Sequence, residues 1–237
     1  MDLPKYFSAS LILSLSCLLF SIWVSPSLPD KVATHWGLDG KANGFSDSGS
    51  LVWLGALPLF IVVLFYVFPR FDPLWDKYGA KAREKYWVLV LCFTLFFFSV
   101  VLLTIASNLG YIFDMGVAVS ALIGMLFIGV GYYFEDCKPS WFVGIRTPWA
   151  MQSEDNWSRT HKAGAKLFYA LGAALVVCAI VIPTALLVGI FLIILACIGL
   201  FAYSYLIWRK DRKNGKADND GKVIAPAAKA GKKGKKK

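Results

Sequence analysis

Between Gly144 and His161 the chain concentrates the residue types that can do chemistry: Gly144, Arg146, Thr147, Pro148 and Trp149 in one short run, then Glu154, Trp157, Thr160 and His161. A turn built from Gly, Arg, Thr and Pro is stiff, and its guanidinium can clamp a carboxylate, a phosphate or helix-end carbonyls through two parallel hydrogen bonds. Ser153 is suited to cap a helix, with Glu154 and Asp155 in the first turn where negative charge is favoured. On that helix Asp155 and Arg159 are four apart and able to pair, while Trp157, His161 and Gly164 fall on one face. The plainer reading of Arg146 is that it holds the loop against its own helices or lipid headgroups, and that of His161 is a single interfacial hydrogen bond.

A second concentration lies in residues 27–50, with Asp30, His35, Trp36, Gly40 and Gly44 among many Gly, Asp, Asn and Ser. One His with scattered Asp lacks any metal-ligand spacing. The composition predicts a compact series of turns, with Trp36 and Phe45 anchored among lipid headgroups. No cofactor is implied. A Ser- or Cys-nucleophile set cannot be assembled either, because His35 and His161 fall on opposite sides of the bilayer in the topology derived below. Catalysis is therefore not expected.

The elements that must position these loops follow from composition. The 237 residues are 57% hydrophobic and 17% charged, with mean hydropathy +0.59, whereas soluble domains have about a quarter of their residues charged. Residues 6–29, 51–69 and 167–208 contain no Asp, Glu, Lys or Arg, and 86–134 contains only Asp114. A helix rises about 1.5 Å per residue and must cross about 30 Å of hydrocarbon, so the two longest tracts each cross twice. Ser107, Asn108, Leu109 and Gly110 supply one break, and Pro183, Thr184 and Gly189 the other. The fold expected is all-α, a polytopic bundle of about six transmembrane helices near 6–25, 51–69, 87–107, 112–134, 166–186 and 189–208. A cleaved signal peptide is disfavoured by the long apolar run from Phe7 to Val24 with no Ala-x-Ala site after it.

Orientation follows from the cations, which favour the cytoplasmic side. With the N-terminus inside, 23 of 25 Lys and Arg fall on one face, and only Lys31 and Lys41 on the other. The expected topology is N-in and C-in, in a multi-pass protein of the cell membrane. The segment 70–86 reads as an interfacial helix. Residues 209–237 read as a disordered polybasic tail resting on anionic lipid; no aromatic residue interleaves its lysines, so no direct nucleic-acid binding is expected. Four of the five cysteines lie within spans, and no exterior pair exists to oxidise. In the fourth span Gly116, Ser120 and Gly124 recur every four residues and suggest a close-packed helix seam.

The run Gly144, Ile145, Arg146, Thr147, Pro148, Trp149, followed by Ser153, Glu154, Trp157, Thr160, His161 and Gly164, closely resembles the signature of the SdpI-like family, named for an immunity protein against a sporulation-delaying peptide toxin. Leu28, Pro29, Asp30, His35, Trp36, Gly40 and Gly44 resemble, more weakly, a membrane domain of unknown function that often precedes it. Ser140 stands where that family usually has Asn, and Ala150 where Thr usually follows Trp149. The resemblance implies an integral membrane protein that protects its cell from a membrane-active peptide and, in the best-known case, captures a repressor at the membrane. The division expected is 1–110, an N-terminal membrane domain with outer loop 27–50; 111–208, an SdpI-like domain with inner loop 135–165; and the tail. The partners expected are the lipid bilayer, a membrane-active peptide and a cytoplasmic regulator. Two readings stay open beside immunity or signalling: a small-solute or lipid transporter gated at the Arg146 loop, with Asp114 as its one intramembrane ionisable group, and an assembly factor acting through its tail.

Overall fold

The structure, a computed structural model, describes residues 4–37, 40–181 and 185–215. Among them the chain forms seven helices and one hairpin: α1 (Lys5–Val24), β1 (Lys31–Trp36), β2 (Ala42–Asp47), α2 (Ser50–Phe71), α3 (Ala80–Asn108), α4 (Met115–Glu135), the one-turn α5 (Pro148–Met151), α6 (Glu154–Val181) and α7 (Ala185–Lys213). All but α5 are long and apolar enough to cross a membrane. The protein is a polytopic, essentially all-α membrane protein with six such helices. The start of α1, the 72–79 and 136–153 segments and the end of α7 lie at one end of the bundle; the hairpin and the α3–α4 turn lie at the other.

Several boundaries differ from the sequence reading. The 70–86 segment is not a separate interfacial helix: a 3-10 turn at Trp75–Lys77 leads through Gly79 directly into α3. With 29 residues α3 is about 44 Å long, more than the hydrocarbon needs, and no breaker separates Ala80 from Tyr86. The fourth span begins at Met115, not 112, because Asp114 is its N-cap, accepting from the Val117 N–H at 3.0 Å. Asp114 is thus outside the helix rather than two residues into it. Gly189 lies inside α7 rather than in the preceding turn, while Pro183 and Thr184 lie outside the described residues. At the other end α7 continues past 209 to Lys213, its last turn rich in Lys and Arg, which suit the negative end of a helix dipole. The remainder of the expected tail, 216–237, lies outside the described residues.

Helices α1, α2 and α3 pack on one another, α4 pairs with α6, and α7 packs on α6, with α3 against α4 joining the two groups. Small residues set the closest approaches. Ser10, Ser14, Cys17 and Ser21 form a buried stripe on α1, each serine hydroxyl donating back to its own helix's carbonyls, and Gly55 of α2 sits on Ser21. Between α4 and α6 the backbones meet at Gly124 and Gly172: a Cβ on either would come within 2.7 Å of the other's carbonyl oxygen. Gly131 extends that contact toward Ala165. Of the expected members Gly116, Ser120 and Gly124, Gly124 lies in the seam, Ser120 is buried, and Gly116 instead lies beside Asp114; Gly131 is a member that the spacing did not include.

Candidate functional site

The 136–153 segment is knotted onto the bundle by polar side chains from four elements. Asp72, just after α2, is buried; its Oδ2 accepts from the Ser140 hydroxyl at 2.6 Å and the Trp141 N–H at 3.2 Å, its Oδ1 from the Leu74 N–H. The Ser140 oxygen in turn accepts from the N–H groups of Phe142 and Val143. One carboxylate and one hydroxyl thus fold both loops of this face together, and Tyr78 adds a bond from its hydroxyl to the Lys138 carbonyl at 3.0 Å.

The chain then turns at Gly144, whose φ of +130° and whose position against His161 Nε2 and the Trp157 ring (2.8 Å from where a Cβ would stand) require glycine. That approach lets the Ile145 N–H donate to His161 Nε2 at 2.8 Å, while His161 Nδ1–H donates to the Trp157 carbonyl at 2.8 Å. Both ring nitrogens are used, which fixes a neutral imidazole in one tautomer and leaves no free nitrogen for acid–base work. Trp157 stacks on His161 with centroids 4.1 Å apart, and its Nε1–H donates to the Cys137 carbonyl at 3.0 Å. Burial pushes the Cys137 thiol up to about 12, so it is inert. Gly164 closes against Ile145 and Phe134. Trp157, His161 and Gly164 do share one buried face.

Thr147 caps α5, its hydroxyl oxygen accepting from the Ala150 N–H, and meets Ser204 of α7 at 2.6 Å; Pro148 takes the first helical position. Asn156 donates to the Ser204 carbonyl and accepts from the Thr160 hydroxyl, both at 3.0 Å. Trp149 meets Phe201 and Tyr205 edge-on. As expected, Ser153 Oγ accepts from the Asn156 N–H at the start of α6, and Arg159 pairs with Asp155 at 3.0 Å; Arg159 also lies 3.6 Å from Asp211. Arg146 is exposed and makes no hydrogen bond or ion pair among the described residues. Beside the knot a polar cleft of about 150 Å³ opens between Glu135, Asp136, Lys138, Glu154, Ser158 and Lys162.

Composition had not singled out Asp72, Ser204, Asn156 or Lys85. Lys85 is buried in α3 and donates to Glu135 at 2.6 Å, and lies 2.7 Å from Asp136, clasping α3 to the end of α4. The Lys85 hydrogen bond, with that of Lys81, holds the Asp136 carboxyl below its ordinary value.

At the far end residues 27–50 form a β-hairpin rather than turns alone. Val32 and Ala33 of β1 are buried, and Lys31 pairs with Asp47 at 2.7 Å across the strands. His35 is exposed and bonds Asn43 at 2.6 Å; Gly44 lets the two strands close over the His35 Cβ. Gly40, at φ +74°, packs on the Asp114 carboxylate. Asp30 contributes its carbonyl to the Ser48 N–H, not its carboxylate. Phe45 is exposed and Trp36 half-buried. The residue that docks the hairpin is Asn108, the last of α3: its Oδ1 accepts from the Ala33 N–H at 2.7 Å, and its Nδ2 donates to the Ala33 carbonyl at 2.9 Å. No cluster of metal-ligating residues occurs among the described residues.

Residues 136–204 match the model of the SdpI/YfhL protein family, and residues 12–67 match the domain of unknown function DUF1648. The first stretch contains the knot from Ser140 to Ser204 except for Asp72 and Tyr78, which lie in neither match, and the second contains the hairpin. No curated protein and no solved structure matches the chain.

Proposed function

We propose that this chain, a multi-pass membrane protein carrying the SdpI/YfhL family's segment behind a DUF1648 domain, protects the cell membrane against a membrane-active peptide or senses one, without catalysis. The observation that supports this most directly is the coincidence of the family segment with the knot around Gly144, Trp157 and His161. In this reading both termini face the cytoplasm, as the bias of 23 of 25 cations to one face favours. The hairpin then meets the peptide outside, and the knot, with Arg146 exposed on it, offers a cytoplasmic regulator its docking surface.

The transporter alternative loses its main support. Asp114 caps α4 at the bundle's end, its carboxylate engaged by Val117 N–H and covered by Gly40, so it does not line a path through the bilayer. Asp114→Asn preserves an N-capping side chain and is expected to leave protection intact. The decisive experiment is expression in a sensitive strain challenged with a defined panel of membrane-active peptides. Raised survival against at least one is expected; killing identical to the empty vector across the panel defeats the proposal.

A further inference from the structure

The charges around the polar cleft beside the knot are unequally committed. Glu135 and Asp136, on the wall at the end of α4, are taken: Lys85 lies 2.6 and 2.7 Å from them, Tyr169 donates to Glu135 at 3.0 Å, and Lys81 reaches Asp136 at 3.0 Å. Lys138 on that wall and Lys162 on α6 line the cleft, are exposed, and make no side-chain hydrogen bond or ion pair among the described residues. Ser158, one turn before Lys162 on the same face of α6, is half-buried with its hydroxyl likewise uncommitted. The third carboxylate, Glu154, lies a further turn out, about 12 Å along the helix from Lys162, at the cleft's outer end. Between Lys138, Ser158 and Lys162 two ammoniums and a hydroxyl remain to be satisfied, which is the donor set of a phosphate site.

Depth in the membrane points the same way. Helices α4 and α6 run antiparallel, with Gly124 against Gly172 and Gly131 against Ala165, so Glu135 stands level with His161. The 21 residues of α4 span about 31 Å, the thickness of the hydrocarbon, which puts Glu135 at its edge. The cleft runs outward from there and therefore lies in the headgroup layer. Its volume of about 150 Å³ takes a phosphate group with a few waters, but falls below the roughly 300 Å³ at which pockets for larger organic ligands such as nucleotides begin. We infer that this cleft binds a phosphate group through Lys138, Lys162 and Ser158, as the phosphodiester of a lipid headgroup in the adjoining leaflet or as free phosphate. The inference does not rest on the peptide reading or on which face is cytoplasmic.

The test is native mass spectrometry of the full chain in detergent with one of three probes: phosphatidylethanolamine, diacylglycerol of the same chains, or inorganic phosphate without lipid. Phosphatidylethanolamine should stay bound about tenfold more than diacylglycerol, and Lys138→Gln/Lys162→Gln should remove that preference without changing the melting temperature. Lys138→Arg/Lys162→Arg should keep it, as should Lys77→Gln/Lys210→Gln, which removes two exposed lysines outside the cleft. A phospholipid preference that the Gln pair removes identifies the headgroup as the source. A phosphate adduct that the same pair removes, without any phospholipid preference, identifies free phosphate. The inference is overturned if neither probe shows binding sensitive to the Gln pair, or if Lys77→Gln/Lys210→Gln causes the same loss.

Discussion

Asn108 is the only described side chain that bonds both backbone groups of a hairpin residue, and replacing it tests whether the hairpin is held from outside itself. The outward edge of Ala33 carries an N–H and a carbonyl that Asn108 pairs at 2.7 and 2.9 Å, and Ala33 is only 7% exposed. Leaving a buried backbone group unpaired costs about 1–3 kcal/mol. Water near the bundle's end can reach part of this edge, so the low end applies to each group, about 2 kcal/mol in all. That corresponds to a roughly 30-fold rise in the population of undocked hairpin. Hydrogen–deuterium exchange of Asn108→Ala in lipid discs should therefore show the Ala33 amide and its strand neighbours exchanging about 30-fold faster, with α6 unaffected. Asn108→Asp retains an acceptor for the Ala33 N–H but loses the donor, and should fall between. An unchanged Ala33 rate, or equal acceleration throughout α6, would refute local docking by Asn108.

Other perturbations probe the opposite face. His161→Phe keeps a ring on Trp157 but leaves the Ile145 N–H without its acceptor, so thermal unfolding in detergent should show a loss of about 1–3 kcal/mol. Gly144→Ala must hold a Cβ at φ +130° against His161 and Trp157, costing about 1–3 kcal/mol from backbone strain before any clash; a melting temperature equal to the parent's would contradict the turn geometry. Lys85→Met removes the partner of Glu135 and Asp136, and since both carboxylates are partly hydrated the loss should be about 2 kcal/mol. Because the folded Asp136 carboxyl lies below its ordinary value, its stabilisation is fully present above the usual carboxylate range and disappears as pH falls through the folded value. Acid titration of the parent should show this loss, and Lys85→Met should flatten it.

The six crossings were legible because hydrocarbon imposes one requirement, a long uncharged helix, that local composition reports directly. What composition does not carry is the partner of a loop. Residues 31–36 and 42–47 read as turns because Gly, Asn, Asp and Ser dominate the second stretch and the first does not alternate cleanly. Strand pairing there is completed by Asn108, 75 residues away from Ala33, and no window contains both. The same limit hid Lys85 and Asp72. Each sits just outside an apolar tract and looks like an ordinary interfacial charge, yet Lys85 reaches across to Glu135 and Asp72 across to Ser140.

Ser140 shows how the site could be partly read and still misjudged. Compared with its expected family pattern, Ser140 in place of Asn looks like a weakened position, but its hydroxyl donates to Asp72 while its oxygen accepts from Phe142 and Val143. A hydroxyl can serve as donor and acceptor from one atom, so a single Ser covers what an amide would do with two. Ala150 is the converse case: it is buried, and what the turn takes from it is its N–H, given to Thr147, so no side-chain hydroxyl is required there. By contrast, Ser153, Asp155, Arg159 and the Trp157–His161–Gly164 face were readable, because helix capping and four-residue spacing are local rules. The knot thus divides physically: its helical half follows from short-range periodicity, and its loop half from hydrogen bonds between segments that the bundle alone brings together.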